Sequence, residues 1–282
     1  MRVGSIHTNY IASLSKNIRE KFEVFKIVSD GISGFDKAHL LIYTLLLQIP
    51  RSLQEKIPKF YDLLNLIVKG STVRRLGCLF IINTHDDIRH HTDSVFEREI
   101  LDWFKVPECG VFMDVGANIG RYTITLAKKI GLGGRILAFE PCSSSYSTLL
   151  NSIHLNNLNN VTTLPLALWN KEGCHHIYTK TNAGSNSLIE DEDAIGKEQV
   201  KTMTLDRLLS MLYLARVDLI KIDVEGAEKE VLEGMKNTLL LFKPRLIIEV
   251  RDNNKSWVDN FLNHLGYSVQ DKKSLNYLYE CV

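Results

Sequence analysis

One block constrains this chain more than any other: Val111-Phe-Met-Asp-Val-Gly-Ala-Asn-Ile-Gly-Arg-Tyr-Thr123, followed by Phe139-Glu140-Pro141. Val111–Val115 is an apolar run broken only at Asp114, the pattern of a strand covered on both faces. Two glycines follow, and then Ile119, Tyr122, Thr123, Leu126, Ala127 and Ile130 recur at helical spacing until Gly131. Arg135–Phe139 is a second strand, and Glu140 stands at its end. Strand, glycine turn, helix, strand and acid make the first half of a nucleotide-type cofactor site. Ligands in such sheets lie beyond the carboxyl ends of the strands, so Asp114, Gly116 and Glu140 should border the crevice.

The spacing narrows the ligand. A dinucleotide fingerprint needs Gly-x-Gly-x-x-Gly, with a pyrophosphate over the helix start. Here Asn118 holds the middle place and Arg121 stands where the third glycine would be. A ligand without a pyrophosphate fits better, which disfavours a nicotinamide-dependent oxidoreductase. Gly116 would let a ligand approach the backbone closely, and Gly120 would let the following helix pack against the strand. Glu140 can accept two hydrogen bonds from vicinal ribose hydroxyls.

Around this block the chain divides. Before it the periodicity is helical: Ile11, Leu14, Ile18, Phe22 and Phe25 form one stripe, and Phe60, Leu63, Leu64, Ile67 and Val68 another. Leu40–Ile49 is apolar all round and should be enclosed by its neighbours. Val73–Leu76 and Cys78–Ile82 predict a ribbon about Gly77, and Val95–Phe104 a helix. Residues 1–72 are therefore read as a helical extension and 73–282 as one α/β domain with its core from about residue 106. After residue 110, strands at 111–115, 135–139, 161–168, 217–224 and 245–250 alternate with helices, and ribbons fall at 174–179 and 267–281. Residues 180–199 look like a loop, with Asn182–Ser187 suited to a lid, and 227–242 like one helix. This alternation predicts a mostly parallel sheet with helices on both faces.

Composition removes several classes. Apolar residues at 45% and charged residues at 24% predict a well-buried core, and a net charge of +1 lacks the basic excess of a nucleic-acid surface. The five cysteines are scattered without a Cys-x-x-Cys pair, which points to a reducing, cytoplasmic location. His90-His91 and His175-His176 lack ligand spacing, so no metal site is assigned. Met1–Tyr10 has no signal-peptide core, and the ten residues Leu40–Ile49 fall short of the roughly 20 that span a bilayer. Lipid contact by the N-terminal helices stays open, as does the oligomeric state.

Asp114-Val-Gly-Ala-Asn-Ile-Gly-x-Tyr-Thr, Phe139-Glu-Pro and Lys221-Ile-Asp-Val-Glu-Gly-Ala-Glu228 together resemble the FkbM family of S-adenosylmethionine-dependent methyltransferases. The resemblance runs from about Val73 to Val269 and takes in Phe96-Glu97, Thr204-Leu-Asp206 and Pro244–Val250. It implies a class I (Rossmann-like) methyltransferase fold with an antiparallel last strand, and an enzyme of the EC 2.1.1 class. By that resemblance Asp114, Gly116, Asn118, Tyr122 and Thr123 face the methionine end of S-adenosyl-L-methionine, with Glu97 near its amine. Gly120 shapes the same turn, Glu140 holds the ribose, and Ala167 and Leu168 lie beside the adenine. Trp169-Asn170 departs from the small or acidic residues more usual there. The family bias is towards O-methylation of a hydroxyl on a sugar, glycolipid or secondary metabolite.

Methyl transfer from a sulfonium is an in-line displacement in which the protein mainly aligns the nucleophile. A hydroxyl must also lose its proton. Alternation puts Lys221, Asp223 and Glu225 on one side of their strand. Asp223 is the first candidate base, with Glu225 and Glu249 behind it. A divalent ion held by these acids is the open alternative, although their spacing does not imply one. A protein that binds the cofactor as a sensor or scaffold, without transferring methyl groups, is the non-enzymatic reading.

Overall fold

The computed structural model describes residues 27–92, 98–180, 186–190 and 194–282. The chain forms two compact units, Met1–Asp93 and Ser94–Val282. The stripe at 11–25 lies outside the described residues.

The first unit contains α1 (Gly34–Leu47), a single turn α2 (Arg51–Gln54), α3 (Phe60–Val68), a hairpin of β1 (Ser71–Arg75) and β2 (Cys78–Ile82), and α4 (His85–Thr92). Ser33 and Asp36 form a capping box that starts α1. The other oxygen of Asp36 accepts from the Thr72 amide at 2.8 Å, and Gly31 bridges to Val73. These bonds tie the hairpin to the preceding helices, so the unit ends near residue 93, later than the 72/73 boundary read from the sequence. The expected enclosure of Leu40–Ile49 does not hold. Burial falls on Leu40, Tyr43 and Thr44, whereas Leu41, Ile42 and Leu45 are exposed.

The second unit opens with a 3₁₀ turn (Arg98–Trp103), followed by β3 (Val111–Val115), α5 (Arg121–Ile130), β4 (Arg135–Phe139), α6 (Ser143–Leu155) and β5 (Val161–Leu164). Next come β6 (Ala167–Leu168), β7 (Gly173–Thr179), β8 (Gly196–Met203), α7 (Leu205–Leu212) and β9 (Leu219–Ile222). Two short helices, α8 (Glu228–Glu233) and α9 (Lys236–Phe242), precede β10 (Arg245–Glu249), α10 (Asp252–His264), β11 (Tyr267–Lys273) and β12 (Asn276–Cys281). Seven strands form one sheet in the order β11-β12-β10-β9-β3-β4-β5. The last strand, β12, runs antiparallel between β10 and β11, while β10, β9, β3, β4 and β5 are parallel. From β3 the chain winds outward to β5, then returns to β9 and winds the other way. The switch point therefore lies between β3 and β9. This is the class I methyltransferase arrangement.

Alternate residues of the central strands feed two cores. Phe112, Leu219 and Ile247 pack with Tyr122, Leu126 and Ile130 on one face. Met113, Val115, Ile220 and Ile248 pack with Leu208, Leu232 and Val258 on the other.

Four sequence expectations change. The strand foreseen at 161–168 breaks at Pro165, which has no amide to donate; β6 joins a separate three-stranded sheet ordered β6-β8-β7. Part of the loop foreseen at 180–199 is paired: Ser187 bridges Tyr178, and β8 pairs with β7. The helix foreseen at 227–242 divides at Gly234, where a Cβ would stand 2.0 Å from the Trp169 carbonyl. Helix α7 was not foreseen, although Thr204 caps it through Arg207 and Leu205, Leu208 and Leu209 are its buried stripe. Asp206, one residue into α7, accepts from the amides of Asn237 and Thr238 and so caps α9 from outside. Asp206→Ala should cost about 1–2 kcal/mol. A urea midpoint lowered at unchanged slope would show it; an unmoved midpoint would leave α9 without need of that cap.

Candidate active site

The turn between β3 and α5 is held by backbone. The amides of Gly116 and Ala117 both donate to the Phe139 carbonyl, at 3.0 and 2.9 Å. Gly116 has φ +82°, and a Cβ on it would lie 1.9 Å from the Asp223 carbonyl oxygen. This contact by itself requires glycine here, beside the expected approach of a ligand to the same backbone. The space is taken by the end of β9. Gly120, at φ +94°, makes room for Leu149 of α6, 2.5 Å from where its Cβ would be, rather than for the strand. Between them Asn118 adopts φ +48°. Its side-chain oxygen is buried and has no hydrogen-bond partner among the described residues.

Two buried acids flank the turn. Asp114 accepts from the amide and hydroxyl of Thr123, at 3.0 and 2.6 Å. Burial raises its pKa to about 6, against the pull of Thr123 and the nearby Lys221 charge. Glu140 accepts from the Asn118 amide at 2.7 Å and the Cys142 amide at 2.9 Å, one on each oxygen. Each oxygen keeps a second lone pair for a further donor. Burial again dominates, and its pKa is raised to about 7.

At the end of β9, Lys221 is fully buried and donates to Asp223 at 3.1 Å. The Asp223 side chain is 27% exposed, so its carboxylate reaches solvent while held from below. Glu225 does not continue the strand. It sits in the following turn at φ +54° and pairs with Arg251. Its pKa is raised, by burial first and then by Asp223. Glu228, read from the sequence as an ordinary first-turn acid, is buried and closes this turn: it accepts from the Gly226 amide at 2.7 Å and from Asn254 at 2.5 Å. Glu249 ends β10 beside β9 and contributes to the field on Arg251.

The remaining residues named from the sequence divide. Thr123 is buried with its hydroxyl bound to Asp114. Tyr122 is a core residue, stacked on Phe104 at 4.4 Å between ring centroids. Ala167 and Leu168 are buried in the small sheet, next to Trp169. Glu97 lies outside the described residues. Among the described residues no group of three or more His, Cys, Asp or Glu is arranged to hold a metal.

This topology defines a class I S-adenosylmethionine-dependent methyltransferase. The Methyltransferase FkbM domain matches residues 114–277, more than half of the 282 residues, and the chain belongs to that family. It is 26% identical to "Methyltransferase 1" of Beauveria bassiana, over 62% of this chain and 79% of that protein. It is 30% identical to "Methyltransferase sdnD" of Sordaria araneosa, over 50% of this chain and 66% of that one. A third relative is "Hexuronic acid methyltransferase AglP" of Haloferax volcanii, 27% identical over 54% of this chain and 59% of its own length. The residues present suit the cofactor: an unpartnered buried oxygen on Asn118 and open lone pairs on Glu140 await donors.

The two raised acids make opposite predictions for the free and bound protein. In the unfolded chain they ionise near 3.8 and 4.5; in the folded protein, near 6 and 7. Between these values the folded state binds more protons, so their contribution to ligand-free stability fades as pH rises through about 6 to 7. Hydroxyl donors need the carboxylate, so S-adenosylhomocysteine should bind more weakly as pH falls below about 7. Glu140→Gln should weaken binding about 10- to 100-fold, as for loss of charged hydrogen bonds, and flatten this dependence. Calorimetry across neutral pH tests it, and a wild-type affinity already independent of pH would refute the assignment.

Proposed function

We propose that this methyltransferase acts on a hydroxyl oxygen of a sugar, glycolipid or secondary metabolite, with Asp223 as general base. The observation that carries this reading is the position of Asp223. It is a partly exposed carboxylate at the switch point, one backbone contact from the cofactor turn. The similarity to a hexuronic acid methyltransferase supports a sugar-type acceptor.

When bound, S-adenosylmethionine supplies a methyl group already activated on a sulfonium. Asp114 and Asn118 face its methionine end, with Thr123 holding Asp114 in place. Glu140 receives the ribose hydroxyls, and Ala167 and Leu168 form the adenine wall. Asp223 would take the acceptor's hydroxyl proton, while bound S-adenosylmethionine would supply the activated methyl group to that oxygen. Glu225 is engaged with Arg251, and Glu249 stands one strand away, so both rank behind Asp223. A cytoplasmic location fits the five free cysteines.

Two measurements test this. S-adenosylhomocysteine should bind in calorimetry and NAD should not; the reverse would remove the donor assignment. With labelled methyl donor and a panel of hexuronic acid glycosides and polar lipid extract, Asp223→Asn should keep S-adenosylhomocysteine affinity and lose about 10²–10⁴-fold in turnover. Undiminished turnover would move the base elsewhere, and binding without methylation of any fraction would favour a sensor.

A further inference from the structure

Lys221 occupies a position that a parallel-sheet core normally gives to an aliphatic residue. It lies in β9 between β3 and β10, in register with Asp114 on one side and Ile247 on the other. Its neighbours along the strand, Leu219, Ile220 and Ile222, are all buried and apolar. In-register residues of parallel strands share a face, and so do residues two apart in one strand. Asp114 and Lys221 thus share one face of the sheet's centre, and Asp223, one residue past the end of β9, is hydrogen-bonded to the Lys221 ammonium. Tyr122 from α5 lies across that face, with the ammonium 5.7 Å from the ring centroid. A well-packed hydrophobic residue often replaces a buried ion pair without loss of stability, so core packing alone does not call for lysine here. Departures from local consistency of this kind concentrate at functional sites.

We propose that Lys221 is a positioning residue: its buried ammonium fixes the Asp223 carboxylate at the switch point and keeps it ionised for proton abstraction. The proposal rests on Asp223 being the base. Among the described residues Asp114 from β3, Glu225 in the turn and Glu228 from α8 all repel Asp223, and Arg251 is directed to Glu225. Without Lys221 the Asp223 carboxylate would lose the ammonium that holds it against this repulsion. The same ammonium also opposes protonation of Asp114, so turnover of the variants is compared at saturating S-adenosylmethionine.

The ionisation can be read without an acceptor. Protein labelled at the aspartate carboxyl carbon is titrated by NMR, and the Asp223 signal is assigned by its loss in Asp223→Asn. In Lys221→Met the Asp223 midpoint should rise by about one unit or more, the effect of removing an adjacent opposite charge. Lys221→Gln, smaller than the native side chain, makes the same prediction where the methionine variant does not fold. An unmoved midpoint in a variant with native circular dichroism overturns the proposal. Turnover supplies the second arm. Lys221→Met should lose about 10²-fold or more, and adding it to Asp223→Asn should cost less than about 2-fold further, because the two act as one unit. Losses that multiply would make Lys221 merely structural and overturn the proposal. Full turnover in Asp223→Asn would instead defeat the base assignment, whatever the NMR midpoint does.

Discussion

Everything at this site depends on one close passage, where the chain leaving β3 runs beside the chain leaving β9. The Asp223 amide donates to the Val115 carbonyl at 2.9 Å, and the Asp223 carbonyl occupies the space where a side chain on residue 116 would begin. Only glycine accepts both that contact and φ +82° without strain. The consequence is geometric. The turn proposed to receive the cofactor and the carboxylate proposed to receive the acceptor's proton are fixed to each other by backbone. A displacement reaction needs this kind of pre-set alignment, since the methyl donor is already activated.

Around that passage the chain places acids where burial is expensive and then compensates each one separately. Asp114 has Thr123 and the Lys221 charge; Glu140 has two amides; Glu228 has Gly226 and Asn254. The compensation is of two kinds. Glu140 and Glu228 are held by neutral donors from turns, whereas Asp114 and Asp223 share a cation embedded in the sheet. Neutral donors orient a carboxylate and leave much of its burial cost in place, and Asp114 and Glu140 both remain weak acids. A buried cation acts on the charge itself. The two halves of the crevice therefore differ in how they hold their carboxylates.

The legible parts of this chain were those whose cause is local. The apolar run of β3, the glycine turn, the stripe of α5 and the acid after β4 each follow from neighbours a few residues apart, and they appear as read. Thr204 and Leu205–Leu209 were equally local signals for α7 and went unread. The illegible parts depend on distant partners. Gly116 is required by Asp223, Gly234 by the Trp169 carbonyl, and Glu225 leaves its strand for Arg251. Alternation placed Lys221 on the same side as Asp223, but sidedness does not reveal a neighbour in the adjacent strand. Register with Asp114 does. Pro165 was a visible break that the apolar character of 161–168 outweighed in the reading.

The same distinction explains why the donor side is easier to read than the acceptor side. The cofactor is recognised by backbone turns and by acids at strand ends, features that a doubly wound sheet reproduces from a short stretch of sequence. The acceptor, on the proposed reading, meets whatever surrounds Asp223, and those surroundings come from separate parts of the chain. Ser187 donates to the Glu225 carbonyl at 2.8 Å, Arg251 reaches Glu225 from the start of α10, and Asn254 closes the turn at Gly226. These contacts fix the turn after β9 from two places, the β7–β8 connection and the start of α10, so changing either can reshape the acceptor side while β3, β9 and Gly116 stay unchanged. Chemistry and donor are thereby built into the sheet, and acceptor choice is left to the connections at its edge.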